Sequence, residues 1–234
     1  MANVTQARRS TVALKSAMAV SGLVMVAYLI AHMYGNLKIF NGREAFNEYA
    51  QHLRTIGEPL LPHEGLLWII RVVLLVSVLL HVYAAGTLWR RNKTAAGYVG
   101  GKRYQTKQNR TGIQRSYASF TMRWGGVTIA LFIVFHLLHL TGNQVHPGGA
   151  SPSPYDRVVN GFQIWWVVLA YAVAMIAVGF HLWHGFWSAL TTLGQNHSGT
   201  RRDSKLNALA IAVAVIITVG FLLPAFATLF GWVD

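Results

Sequence analysis

Apolar residues run through this chain in long unbroken blocks, and the charged residues that separate them collect in the gaps. A helix that is apolar on every side belongs in lipid or deep inside a large core. Five blocks reach the roughly 20 residues a helix needs to cross a bilayer, near 12–34, 66–89, 120–140, 162–190 and 206–230. The pattern predicts an all-α integral membrane protein with five transmembrane helices, a single membrane domain over 1–234. No gap is long enough for a separate catalytic domain.

The gaps have characters of their own. The 36–63 connection has an amphipathic middle from Gly42 to Ala50, followed by Gly57 and two prolines. It predicts a short helix at the membrane surface, closed by the Gly and Pro breakers. The 91–118 connection is basic and suited to docking. The 141–160 connection carries Pro147, Gly148, Gly149, Pro152 and Pro154 and reads as an irregular loop. Tyr34, Trp68, Trp89, Trp124, Trp165, Trp166 and Trp232 stand near block ends, where amphipathic rings anchor spans at the interface.

Charge changes this picture by giving it a direction. Only 12% of the 234 residues are charged, about half the share of an ordinary soluble domain. The net charge of +13 suits a nucleic-acid binder, but its distribution does not. Arg8, Arg9 and Lys15, nine residues from Arg90 to Arg123, and Arg201, Arg202 and Lys205 fall on one side, against Lys38, Arg43, Arg54, Arg71 and Arg157 on the other. That is 15 against 5, and six of the seven acids lie with the five. By the positive-inside rule the N-terminus is cytoplasmic and the C-terminus outside. Arg8-Arg9 before an apolar run resembles an export signal; the run is too long and holds His32, so it is expected to stay as the first span.

The chain has no cysteine. That excludes disulfides, covalent c-type haem, thiol catalysis and any Cys-ligated iron–sulfur cluster in this chain. A redox centre here must be held by His or Met.

Four histidines, His32, His81, His136 and His181, sit inside four different apolar blocks. A histidine at membrane depth is costly and is a functional candidate by default. Counting 1.5 Å per residue from the cytoplasmic ends puts His32 about 25 Å up, His136 about 20 Å, His181 about 15 Å and His81 about 13 Å. The heights pair His32 with His136 on the outer side and His81 with His181 on the inner side. Four helices giving one imidazole each can clamp two haem irons, stacked across the membrane. Iron with two imidazoles has no vacant position for oxygen, so electron transfer is the expected task. A single such histidine more often bonds a neighbouring helix; four at two heights favour ligation. His139 and His184, each three residues beyond a proposed ligand, lie about 60° round an α-helix from it. Either can replace its neighbour, or contact a haem propionate or quinone. Gly35, Gly86, Gly125, Gly126 and Gly185 would let a porphyrin approach the backbone, or simply serve helix packing.

Short motifs sharpen this reading. Tyr28-Leu29-Ile30-Ala31-His32, Leu79-Leu80-His81-Val82-Tyr83, the stretch from Gly126 to Phe135-His136, and Gly179-Phe180-His181-Leu182-Trp183-His184-Gly185-Phe186-Trp187-Ser188 resemble the cytochrome b membrane anchor of succinate:quinone oxidoreductases, in the five-helix, two-haem class. The last run is similar to the family's Phe-His-x-x-x-Gly-x-Trp-Ser pattern and favours His181 over His184; the ten-residue step from Gly126 favours His136 over His139. The resemblance covers almost the whole chain. It implies two haem b groups, and flavoprotein and iron–sulfur partner subunits on the basic cytoplasmic face of a bacterial inner membrane. It also implies exchange of electrons with quinone, menaquinone in anchors of this type, and leaves room for a small additional membrane subunit or a higher oligomer. Lys15, Ser16, Arg123 and His184 lie toward the inner side, where propionates or quinone want cations and donors, and His139 is the outer candidate. Glu44, Glu48, Glu58 and Glu64 are solvated acids on the outer side, or pass protons there.

Other readings compete. A fumarate reductase anchor would run the same electron path in reverse. Cytochrome b of quinol–cytochrome c oxidoreductase carries two ligands on each of two helices, and nitrate-reductase cytochromes concentrate them similarly; no span here holds such a His–His pair. A haem-free quinone-binding anchor or transporter would use the histidines as helix-to-helix hydrogen bonds.

Overall fold

The computed structural model describes residues 10–98, 112–196 and 205–234. Arg8, Arg9, Lys102, Arg103, Lys107, Arg110, His197, Arg201 and Arg202 lie outside the described residues. No strand occurs among the described residues, and five helices are long and apolar enough to cross a membrane.

Helix α1 (Thr11–Leu37) starts where the Ser10 hydroxyl accepts the Ala13 N–H at 3.0 Å, satisfying one of the donors that a helix start leaves open. A 3-10 turn (Lys38–Asn41) and Gly42, at φ 89°, lead into α2 (Arg43–Thr55), the amphipathic helix expected in the first connection. Gly57, at φ 98°, turns the chain toward α3 (Gly65–Tyr98). Glu64 accepts from both Arg54 and Arg71, fastening the end of α2 to the start of α3.

Helix α4 (Gly112–His136) passes directly into a π turn (Leu137–Thr141), closed by a five-residue bond from Gly142 N–H to Leu137 O at 2.6 Å. The connection that follows is more ordered than its prolines and glycines suggest. Ser153 caps, and Pro154 opens, a short helix α5 (Pro154–Phe162). The Pro ring suits a helix start, where no N–H is needed. Arg157 donates to the Ser151, Pro152 and Leu140 carbonyls and holds this segment against the π turn. The fourth span therefore begins later than 162, as α6 (Trp165–Thr192). The last is α7 (Lys205–Leu229). Gly194 and Gly231, both at positive φ, end α6 and α7 with the paired backbone bonds of a left-handed helix stop.

The helices close-pack as α1 with α3, α6 and α7, α4 with α6, and α6 with α7. Val26, Ala174, Met175, Val178, Leu182, Ala214 and Ile217 fill the α1–α6–α7 centre. A second cluster gathers Ile39, Tyr155, Phe162, Val168, Tyr171 and Ala225 at the end away from the basic residues. At the basic end Leu14, Ala84 and Leu88 join α1 to α3. The outer faces of α3 and α4, including Val72, Leu75, Leu79, Leu131 and Val134, are exposed apolar surface, as lipid-facing positions require.

Candidate functional site

The four histidines of the spans arrive at two places from four helices. His32 on α1 faces His136 at the end of α4, ring centroids 5.8 Å apart. His81 on α3 faces His181 on α6 at 6.2 Å. Along the described residues, α1 does not close-pack with α4, nor α3 with α6. Each pair therefore bridges helices held apart by others, across the inside of the bundle.

That spacing can be tested against a metal. An imidazole nitrogen binds a first-row metal at about 2 Å, so the centroids of two rings sharing one metal would stand up to about 6 Å apart once each ring's radius is added. Both pairs meet this value. Neither pair makes a direct imidazole–imidazole hydrogen bond. The imidazoles are the donor type that haem iron takes, and each pair stands at a separation that admits one iron between its rings.

Hydrogen bonds at the rings support the same chemistry at His81. Its Nδ1–H donates to the Met18 carbonyl of α1 at 3.1 Å, with the Ser21 hydroxyl at 3.4 Å. A carbonyl only accepts, so the proton is fixed on Nδ1 and the Nε2 lone pair is left for a metal. Ser21 itself donates to the Ala17 carbonyl at 2.7 Å. His136 Nδ1 lies 3.2 Å from the Tyr171 hydroxyl. His181 Nδ1 is buried without a hydrogen-bond partner. His32 stacks on Tyr28 at 5.3 Å, and Asn36, which donates to the His32 carbonyl at 2.8 Å, stands 3.5 Å from its Nε2.

The remaining candidates separate. His139 is 2% exposed and turned from His32, its Nδ1 3.1 Å from the Tyr171 hydroxyl and its ring pressed on Gly161, where a Cβ would meet Nε2 at 2.5 Å. His184 donates from Nδ1 to the Phe180 carbonyl of its own helix at 3.1 Å. Arg123 holds its guanidinium 5.6 Å over the Trp89 ring, linking α4 to α3 toward the basic end. Lys15 is exposed and Ser16 half-buried, one turn or less below Met18 on α1. None of these is brought into either histidine pair.

Two neighbours escaped the sequence reading. Gly22 borders His81, a Cβ there falling 3.4 Å from the ring, as Gly126 borders His181 at 3.7 Å. Gly35, by contrast, is filled by Tyr49 of α2, 2.9 Å from where its Cβ would be, and serves α1–α2 packing. The other is Tyr171, a hydroxyl in mid-span; its type and depth were the available signal.

A family model described as succinate dehydrogenase/fumarate reductase transmembrane subunit covers residues 104–222, which include His136, His139, Tyr171, His181 and His184. No curated protein and no solved structure matches the chain.

Proposed function

Because the chain belongs to the succinate dehydrogenase/fumarate reductase transmembrane subunit family, we propose that it is the dihaem cytochrome b anchor of a succinate dehydrogenase. In this reading it carries electrons between an iron–sulfur subunit and membrane menaquinone. The observation that carries it is the pair of facing imidazoles at each of two heights, 5.8 and 6.2 Å between centroids, supplied by four separate helices.

His32 and His136 would hold one haem b, and His81 and His181 the other; bound there, the haems would supply one-electron transfer. The chain's own part is to fix the rings. The Met18 carbonyl holds the His81 tautomer and orientation, and α1 and α6 keep the ligand-bearing helices at ring-width separation. Each of the four imidazoles is partly buried within the bundle. The flavoprotein and iron–sulfur subunits that act on succinate dock on the basic face around Lys15, Arg90, Arg91, Arg123 and Lys205. That places the His81–His181 pair nearer the electron source and the His32–His136 pair nearer the outer surface. No Asp or Glu lies in the central part of any span, so buried carboxylates take no part in moving protons through this chain.

The test is haem content of the purified complex by pyridine haemochrome, referred to this chain. Two haem b per chain is the expected result. One means that one histidine pair has another role; none, with cofactors retained during isolation, leaves a haem-free anchor.

A further inference from the structure

Tyr171 stands between two histidines that sequence spacing leaves as rivals. Its hydroxyl lies 3.2 Å from His136 Nδ1 and 3.1 Å from His139 Nδ1. The ring is held edge-on between Phe132, centroid distance 4.9 Å, and Phe162, 4.8 Å, and is 6% exposed, so the hydroxyl is placed by packing.

We propose that Tyr171 is the positioning residue that makes His136, and not His139, the partner of His32. The inference rests on the dihaem reading above and goes beyond it. A phenol has one proton to donate and an oxygen that accepts. Between two imidazole Nδ1 atoms it accepts from one ring and donates to the other. The ring that donates from Nδ1–H has an unprotonated Nε2 and can bind iron. The ring whose Nδ1 accepts the phenol O–H carries its own proton on Nε2 and cannot. One hydroxyl therefore forces the two rings into opposite tautomers.

Geometry decides which is which. His136 faces His32, whereas His139 Nε2 is packed against Gly161. The π turn that begins immediately after His136 breaks the α spacing between the two rings and turns His139 toward α5 and α6. His136 is the donor to Tyr171, and Tyr171 is the donor to His139. The hydrogen bond accepted by Tyr171 raises the electron-donating strength of His136 toward iron. Among the described residues no such phenol stands at the His81–His181 pair: His81 leans on a backbone carbonyl instead. The same molecule thus contains its own reference.

The experiment is redox titration of both haems in the assembled complex, followed optically and by low-temperature EPR, for wild type, Tyr171→Phe and His139→Leu. Tyr171→Phe keeps the ring and its packing and removes only the hydroxyl. Two haems are expected to remain, with one midpoint potential shifted upward and its EPR lines moved, and the other haem unchanged. His139→Leu breaks the same chain at its far end: both haems remain and the same potential rises, by less. The proposal is overturned if Tyr171→Phe leaves both potentials in place or moves both together, or if His139→Leu loses a haem. Should Tyr171→Phe fail to assemble, the His139→Leu result decides. A wild-type complex with fewer than two haems per chain defeats the functional reading itself, a separate outcome.

Discussion

Gly220 of α7 and Met33 of α1 touch so closely that a Cβ on Gly220 would come within 2.3 Å of the Met33 Sδ. Met33 follows His32 directly, and Gly220 is the residue whose carbonyl loses its helical donor to Pro224, four positions on. The α1–α7 contact beside His32 therefore depends on a missing side chain. Gly220→Ala is expected to overpack this contact at a cost of about 1–3 kcal/mol. A lower thermal midpoint by circular dichroism, with haem lost first from the His32–His136 pair, is the expected result. The His81–His181 haem should persist.

Removing one ligand should empty one site. His81→Ala or His181→Ala loses one haem and retains the other, and His32→Ala or His136→Ala loses the complementary one. Difference spectra of the four variants check the assignment, because partners must remove the same spectral component. If His81→Ala and His181→Ala removed different haems, the pairing would fall.

Much of this site is legible as height along the bundle. Apolar blocks give the spans, the Lys and Arg bias gives a direction, and a fixed rise per residue sorts His32 with His136 and His81 with His181, which the structure places ring to ring. Rotation about each helix axis is not legible in the same way. Helices apolar all round carry no stripe to say which face turns inward. An α spacing of three residues therefore keeps His139 within reach of the same role, and only the step from Gly126 favours His136. The π turn that separates them depends on packing against α5, itself hidden in a loop of Pro and Gly. Tyr171 was missed because a mid-span phenol reads equally well as core. Gly22 was missed, and Gly35 takes the packing role of its two readings, for the same reason: spacing says where a glycine is, but not what faces it.

Ser21 offers a control on the inner pair. Its hydroxyl is 3.4 Å from His81 Nδ1, longer than the 3.1 Å to the Met18 carbonyl, and bonds mainly to its own helix. Ser21→Ala should retain both haems and move stability by no more than about 1 kcal/mol. A redox titration indistinguishable from wild type is expected; loss of a haem would show that the carbonyl alone does not hold His81.

The caps over the end away from the basic residues should be separable from the haem sites. Asn47 of α2 accepts the Tyr155 N–H at 3.2 Å and donates to Ser153 at 3.2 Å, and Arg43 pairs with Asp156 at 2.5 Å. Asn47→Ala breaks two bonds between α2 and α5, each worth about 1 kcal/mol. Arg43→Ala removes a half-exposed ion pair worth about 0–1 kcal/mol. Hydrogen exchange should quicken in α2 and α5, more for Asn47→Ala, with haem content unchanged.

Withholding haem should loosen the bundle where its helices do not touch. A ligand bound only by the folded state adds to stability by mass action. Chain produced under haem limitation is expected to show a lower thermal midpoint and faster proteolysis, both reversed by added haem. Equal stability with and without haem would mean that the pairs are held by protein packing alone.

The close packing of α1 with α3 and of α4 with α6 makes two hairpins of neighbouring helices. His32 and His81 ride on the first, His136 and His181 on the second. Neither hairpin owns a complete pair; each carries one half of both. A nascent chain with only its first hairpin in the membrane therefore has two single imidazoles and no clamp. Both pairs form only when the second hairpin docks. In the proposed dihaem reading, cofactor capture would report finished assembly, and a chain truncated between the hairpins would stay colourless.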